Sequence, residues 1–387
     1  MKIFLTLLLN VLFFSSLCLA DNSLTLPAGR FRARIKPIYS PKITTQYNNE
    51  TLEESLVSKF AVGVDIPTAQ ALSKELAYLM QTSNPPVNYL GQFKPDLQVS
   101  TLILGTALEY GVTEKLTAGL IVPVAMAATK FKLDFEKSQE ALSSPNPQIR
   151  YIDVVHKVEA IAQSKGYTEF SDWAGIGLGD AELGVKYHAL NTAQWSFAIK
   201  SGLRIPTGRV DDPDNLTDIG FGDGQWDVGT TFLLDYKPLS DLLLNLEARF
   251  TIQLPDKEKL RVPGIGELFT DKKDELSRNL GDHIQAALTA QYNLFKLFNL
   301  NLSYNFLTKG LDSFQSDKAG MNVSGLGLKT SQLKHSINFG TGFSTLPWFL
   351  DGKFKLPMDV GLNLELPFLG KNVLKATSFN LEYKFYF

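Results

Sequence analysis

The chain closes on Thr377-Ser-Phe-Asn-Leu-Glu-Tyr-Lys-Phe-Tyr-Phe387. Phe379, Leu381, Tyr383, Phe385 and Phe387 share one parity; Ser378, Asn380, Glu382, Lys384 and Tyr386 share the other. A period of two predicts an extended strand with one apolar and one mostly polar face. At the edge of a soluble sheet such a strand would expose a hydrophobic template for pairing with other chains. A closed membrane barrel removes that edge. The last strand pairs with the first, the apolar face meets lipid and the polar face lines the lumen.

The other end supplies a route to a membrane. Lys2, the apolar run Ile3 to Phe14 and the ending Cys18-Leu-Ala20 predict a secretory signal over residues 1–20, cleaved after Ala20. The run is short for a spanning helix. Leu17 stands where a lipoprotein signal using Cys18 expects a small residue. Cys18 is the only cysteine, so the mature chain is expected to have no disulfide, thiolate chemistry or Cys-bound metal. Net charge is −2, and no basic cluster points to nucleic acid. Past the signal no apolar run approaches twenty residues, so any crossing must be made by strands.

Between these ends the alternation recurs. Gly29 to Tyr39 predicts a first strand with Arg30, Arg32, Arg34 and Lys36 on one face, ended by Pro41. Further strands follow at 97–110 and 115–127, where the face of the first is ambiguous, and then from Glu182 onward, giving twelve in all. Connections one, three, five, seven and nine (40–96, 128–175, 209–224, 255–281 and 311–331) are long; two, four, six and eight are short turns. Membrane barrels alternate short turns on one side with long loops on the other, whereas a soluble sandwich predicts no such rule. The expectation is an all-β, antiparallel transmembrane barrel over 21–387 with insertions 42–96 and 128–175. Leu52, Leu56 and Phe60, then Leu72, Leu76, Leu79 and Met80, have helical spacing in the first insertion, and 151–165 in the second.

Two stretches carry a resemblance: Gly177-Leu-Gly-Asp-Ala-Glu-Leu-Gly-Val-Lys-Tyr187, and Gly202-Leu-Arg-Ile-Pro-Thr-Gly208 with Gly222-Asp-Gly-Gln-Trp-Asp-Val228. Together they resemble the outer-membrane channel family named for the MetA pathway of phenol degradation. The resemblance implies a channel for aromatic or other small hydrophobic solutes. The closing strand, with Phe379, Leu381, Tyr383, Phe385 and terminal Phe387, likewise resembles the signal read by the barrel-assembly machinery of Gram-negative outer membranes. Outer-membrane lipid and lipopolysaccharide are the surroundings this implies.

The polar faces set the chemistry. Arg30, Arg32, Arg34 and Lys36 would lie beside Glu382 and Lys384, with Lys186, Lys200, Arg204, Asp227, Asp235, Glu247, Arg249, Asp359 and Glu365 also lumen-lining. Such a wall is either a charged, selective channel or an ion-paired filling. No enzyme is expected: His335 and Ser336 are strand neighbours and point to opposite faces, and the pattern supplies no His and Ser converging on one face. Asp211, Asp212, Asp214, Asp218 and Asp223 crowd one loop but lack the spacing of a calcium-binding loop, and neither metal nor cofactor is expected. Tyr78, Leu79, Met80, Phe131, Phe135, Tyr151, Phe170 and Trp173 form either small loop cores or an external capture site for an apolar solute. No energy-coupling motif is visible, which leaves passive uptake or a sealed surface-binding barrel as the functional alternatives.

Overall fold

The computed structural model describes residues 21–264, 267–318 and 320–387; the signal expected at 1–20 lies outside them. Twelve antiparallel strands close into a ring. They are β1 (Phe31–Ile43), β2 (Tyr89–Thr113), β3 (Leu116–Lys137), β4 (Ala181–Asn191), β5 (Trp195–Ile205), β6 (Asp227–Leu239), β7 (Leu242–Gln253), β8 (His283–Leu294), β9 (Phe298–Lys309), β10 (Gln332–Ser344), β11 (Met358–Lys371) and β12 (Ser378–Tyr386). A short segment, Trp173–Leu178, continues β4 upward along β3. The seam is β1 against β12, with Arg32 opposite Tyr386 and Phe31 and Phe387 exchanging backbone hydrogen bonds of 3.1 and 2.9 Å.

Outward side chains form an apolar band. Ile35, Leu108, Leu120, Leu183, Phe232, Leu246, Leu288, Leu302, Phe339, Leu362 and Phe379 are all exposed, while their strand neighbours turn inward and are buried or half-buried. In water this surface would be strongly unfavourable; in lipid it is the matched face. Among the described residues no helix is long and apolar enough to cross a membrane, so the crossing is made by the strands.

Several boundaries differ from expectation. β1 runs through Pro41 to Ile43, and Tyr89–Asp96 and Ala128–Lys137 continue β2 and β3 instead of belonging to the insertions. These two strands pair from Thr113↔Leu116 to Gly91↔Lys137, so their upper ends rise well beyond the band. Leu52, Leu56 and Phe60 do not form a helix. Thr51 takes φ 65°, the chain turns back to pair Glu53–Ser55 with Thr45–Tyr47, and only a 3₁₀ turn, Ser58–Phe60, follows. The later spacing does give helices: α1 (Ile66–Leu72) and α2 (Lys74–Thr82), split at Ser73, whose hydroxyl caps α2 by accepting from the Leu76 N–H. In the second insertion α3 (Gln139–Leu142), α4 (Pro147–Arg150) and α5 (Val154–Ser164) follow β3.

The two insertions share one external core. Val64, Leu76, Met80, Leu90, Phe93, Ile149, Val154 and Val158 are buried together, with Leu79, Phe135 and Phe170 packed against them. Tyr78 and Tyr151 are left exposed. Leu79, Met80, Phe135 and Phe170, half of the apolar side chains weighed as a capture site, therefore hold the loops together, while Phe131 and Trp173 pack at the barrel mouth. Phe131 and Phe135 lie on β3 itself.

Candidate functional site: the barrel interior

The interior has three levels. At the loop end lies an apolar layer. Ile38 of β1, Val99 and Ile103 of β2, and Ala125 and Ala127 of β3 turn inward and pack with Ile219 and Phe221 of the 206–226 loop. Ile219 is 0% and Phe221 2% exposed, so this loop is driven into the mouth by burial of its apolar tip. Phe131 and Trp173 border the cluster, and the Arg209 guanidinium sits 5.2 Å from the Phe221 ring and 5.4 Å from the Trp173 ring.

The base of that loop explains the two glycine-rich stretches. Asp180, in the break between Trp173–Leu178 and β4, accepts from Gly208 N–H at 2.9 Å and from Asp223 N–H at 3.3 Å. Gly208 and Gly222 lie back to back, so a Cβ on either would meet the other's Cα at 2.7–2.8 Å. The loop thus leaves and re-enters the wall at one pinned point. Its carboxylates are largely engaged by the protein. Asp218 receives both Arg209 amines at 2.7 and 2.8 Å, and Asp214 receives Arg261 and Lys273 at 2.7 and 2.5 Å. Burial opposes ionisation of Asp214, but hydrogen bonds from Lys273 and Arg261 outweigh it and hold the carboxyl below its ordinary value. Among the described residues no group of His, Asp and Glu is arranged to hold a metal ion.

The middle level is polar and paired. The pairing reaches down to the turn end of the β1–β12 seam, where Arg32 bonds Glu109 at 2.5 Å, Arg34 lies 3.7 Å from Glu382, and Lys384 lies 3.2 Å from the same carboxylate. Glu182 gathers Arg249 at 2.9 Å and Lys200 at 3.8 Å. The Arg249 contact passes over two intervening strands, and Gly229 and Gly202 leave room for it: a Cβ at either would lie 3.0 Å from the ion pair. Arg204 meets Asp227 at 2.5 Å, Lys334 meets Glu365 at 2.6 Å, and Tyr386 donates to Asp359 at 2.6 Å. Lys36 and Glu247 are buried at 4% and 5% exposure. Arg30 stands apart from the other expected lumen residues. It is exposed and precedes β1, because the turn closed by its N–H on the Pro27 carbonyl keeps it off the strand. A cavity of about 30 Å³ lies beside Glu247, Gln285, Lys334 and Glu365, room for about one water and far from the ~150 Å³ that seats an aromatic ring.

The third level, at the turn end, was not legible as a site. Residues 21–26 cross the barrel interior, and Pro27–Arg30 are exposed at its rim. Lys186 pairs with Asp21 at 2.9 Å, Asp235 accepts from Ser23 N–H and Oγ at 2.9 and 2.7 Å, and Asn245 donates to the Asp21 carbonyl at 3.2 Å. The Leu26 N–H donates to Thr117 Oγ1 at 2.8 Å, and Thr25 Oγ1 to the Glu114 carbonyl at 2.8 Å.

One expectation needs correction here. A histidine and a serine do converge on one face: His188 Nε2 lies 2.7 Å from Ser196 Oγ. Strict alternation already places both on the inward face, His188 with Lys186 and Ser196 with Lys200, so the pair was open to the sequence and was missed because only His335 and Ser336, adjacent in the chain, were weighed. The pair is covered, since Ser23 Oγ also bonds Ser196 Oγ at 2.5 Å. His335 and Ser336 do point apart, with His335 bonded outward to Tyr304 at 2.6 Å and Ser336 inward to Glu365 at 2.8 Å.

No protein-family model matches the chain, and none of the curated proteins matches it in sequence. Solved structures do. The fold is similar to that of the COG4313 outer membrane channel from Pseudomonas putida F1, with a TM-score of 0.58 at 12% identity over 96% of this chain and 100% of that one. The Ralstonia pickettii toluene transporter TbuX matches with a TM-score of 0.37 at 12% identity, over 95% and 92% of the two chains. A Pseudomonas aeruginosa FadL homologue matches at 0.35 and 10%, over 92% and 89%. At these identities the likeness to the first is one of fold.

Proposed function

We propose that this chain is an outer-membrane channel for passive uptake of small hydrophobic or aromatic molecules, described here in its closed state. In this reading the turn end faces the periplasm and the long loops face outside. The observation that carries it is the apolar layer inside the mouth. A membrane barrel has no structural need for Ile38, Val99 and Ile103 on its lumen face, where polar residues meet water at no cost. Together with Ile219 and Phe221 they make a site that an apolar solute can occupy when the 206–226 loop withdraws, and displacing the two loop side chains conserves the buried area. Below it, the charges of Glu182, Arg249, Arg204, Asp227, Lys334 and Glu365 are met by one another, which gives an ion little to follow. The resemblance of the Gly177–Tyr187 and Gly202–Val228 stretches to a family of hydrophobic-compound channels supports the same reading, since those stretches tether this loop.

The second reading, a sealed barrel serving as a surface-binding protein, is favoured by the ion-paired middle level. Reconstitution into a planar bilayer separates the two. A channel gives discrete openings that a small aromatic solute blocks from the loop side. A correctly folded barrel with no openings, in the native chain and in a variant lacking residues 211–220, would remove the channel reading.

A further inference from the structure

The turn-end half of the lumen is divided into two unlike walls. On β4 to β7 the inward side chains are charged or polar and sealed under residues 21–26: Lys186 is 4%, Ser196 6%, Asp235 2% and Asn245 3% exposed. On β8 to β12 the facing row is Gln291, Asn301, Gly340, Asn363 and Asn380, in register across five consecutive strands without one charge. The row nearer the turns runs Asn293, Asn299, Gly342 and Gly361 and ends on Glu382 of β12, whose charge is met within the protein by Lys384 and Arg34. Gln291, Asn293, Asn299, Asn301 and Asn363 are half-buried, unlike their counterparts under the strap.

These amides lie along the wall. A Cβ at Gly340 would collide with the Asn363 amide, and one at Gly342 with the Asn299 amide, so both glycines keep the side chains flat and the space in front of them clear. Asn380, at the β12 end of the row, and Asn338, one row deeper, are 0% and 2% exposed, and neither amide group has a hydrogen-bond partner among the described residues. Buried amides left so are costly unless a mobile partner supplies the bonds. Donors and acceptors in one uncharged row suit a neutral molecule with a hydroxyl or carbonyl group, and give an ion no compensating charge.

We propose that the N-terminal strap, Asp21–Leu26, is a fixed partition that covers the charged wall and leaves the amide row of β8 to β12 as the exit lane, for neutral solutes with an apolar body and one hydrogen-bonding group. The proposal deepens the channel reading and rests on it. The apolar layer at the mouth takes the body of the solute, and the amide row takes its polar group on the way out. The strap sets the specificity of the aperture by occupying the side where an anion would be drawn to Lys186.

Three variants test it in planar bilayers. In S23C/S196C the strap is locked by a disulfide, for which the 2.5 Å separation of the two hydroxyls leaves little movement to be made. A fixed partition predicts native conductance under oxidising conditions; loss of conductance, restored by reductant, would show a moving gate and overturn the proposal. In N363C, a negatively charged thiol reagent added on the turn side must change the current, while S196C must stay inert; labelling of both at equal rate refutes the partition without requiring any altered fold. Deleting residues 21–25 must raise conductance at least twofold and shift the reversal potential towards anion selectivity, because Lys186 loses Asp21; unchanged selectivity in a conducting variant counts against it. Block by benzyl alcohol exceeding block by benzoate in the native channel is expected, with the preference lost on strap deletion. The channel reading itself fails differently, as absence of block by any aromatic probe in a protein whose labelling pattern is as predicted.

Discussion

Replacing Phe221 by Ala tests the gate directly. Phe221 is 2% exposed and packs with Ile38, Val99, Ile103, Ala125, Ala127 and Trp173. Truncating a packed Phe to Ala costs about 3–5 kcal/mol, through lost transfer energy and the cavity left behind. The barrel wall is unaffected by a side chain that enters it from a loop, so the loss falls on the equilibrium between seated and withdrawn loop. The loop's other anchors persist: Arg209 on Asp218, and Asp180 on the backbone of Gly208 and Asp223. Taking the low end, about 3 kcal/mol multiplies the withdrawn population on the order of a hundredfold. Single-channel recording should show opening probability rising by about that factor, while the conductance of each opening stays native because the turn-end aperture is untouched. Phe232→Ala, on the lipid face, is the control and should leave both quantities alone. A folded Phe221→Ala barrel with native opening probability would refute the assignment of this loop as the gate.

Arg261 ties three external loops by donating to the carbonyls of Lys165, Gly166, Pro213 and Thr270 and to Asp214, with its guanidinium 3.7 Å from the Tyr167 ring. Arg261→Ala should cost about 3 kcal/mol in loop docking and make residues 139–172 cleavable by protease while the barrel stays intact. Asp214, in that network, has its carboxyl held below the ordinary value of 3.8, so its contribution is complete above that pH and is lost as pH falls through the lowered value. Protease sensitivity of the loops should therefore rise only below about pH 4, and Asp214→Asn should show the sensitive state at all pH values. Deleting Phe387 removes the residue that exchanges two backbone hydrogen bonds with Phe31, and should lower the yield of heat-modifiable, folded barrel severalfold; an unchanged yield would take Phe387 out of assembly.

The ring of twelve strands was legible because lipid outside and polar filling inside impose a strict alternation, and that pattern survives in the sequence from Leu183 to Phe387. It failed where other physics took over. β2 and β3 leave the band and serve as one wall of a small soluble core, so Phe93, Phe131 and Phe135 no longer obey the membrane pattern. Leu52, Leu56 and Phe60 have helical spacing by coincidence; Leu56 is buried against the mouth by a reversed chain. The ionic partners of the expected cations were half visible. Glu182 lay on a clear polar face, Glu109 on an ambiguous one, and Asp21 on no strand at all. The strap carries no periodic signal, since its contacts are made by backbone and by short polar side chains, and the amide row becomes a row only when the register of five strands is known.

The seam between the first strand and the last has a consequence for how this molecule fails. Every interior contact described above, from the strap to the Glu182 cluster, is enclosed only once Phe31 meets Phe387. No sub-ring can form earlier and wait, because eleven strands leave two unpaired edges facing lipid, where each bare backbone group costs several kcal/mol. Damage near the carboxy terminus is therefore not local. A chain cut short by one strand is not a slightly weaker barrel but a population with no lumen, no strap seat and no mouth, and a partial defect in clasping shows as fewer complete molecules, each one normal.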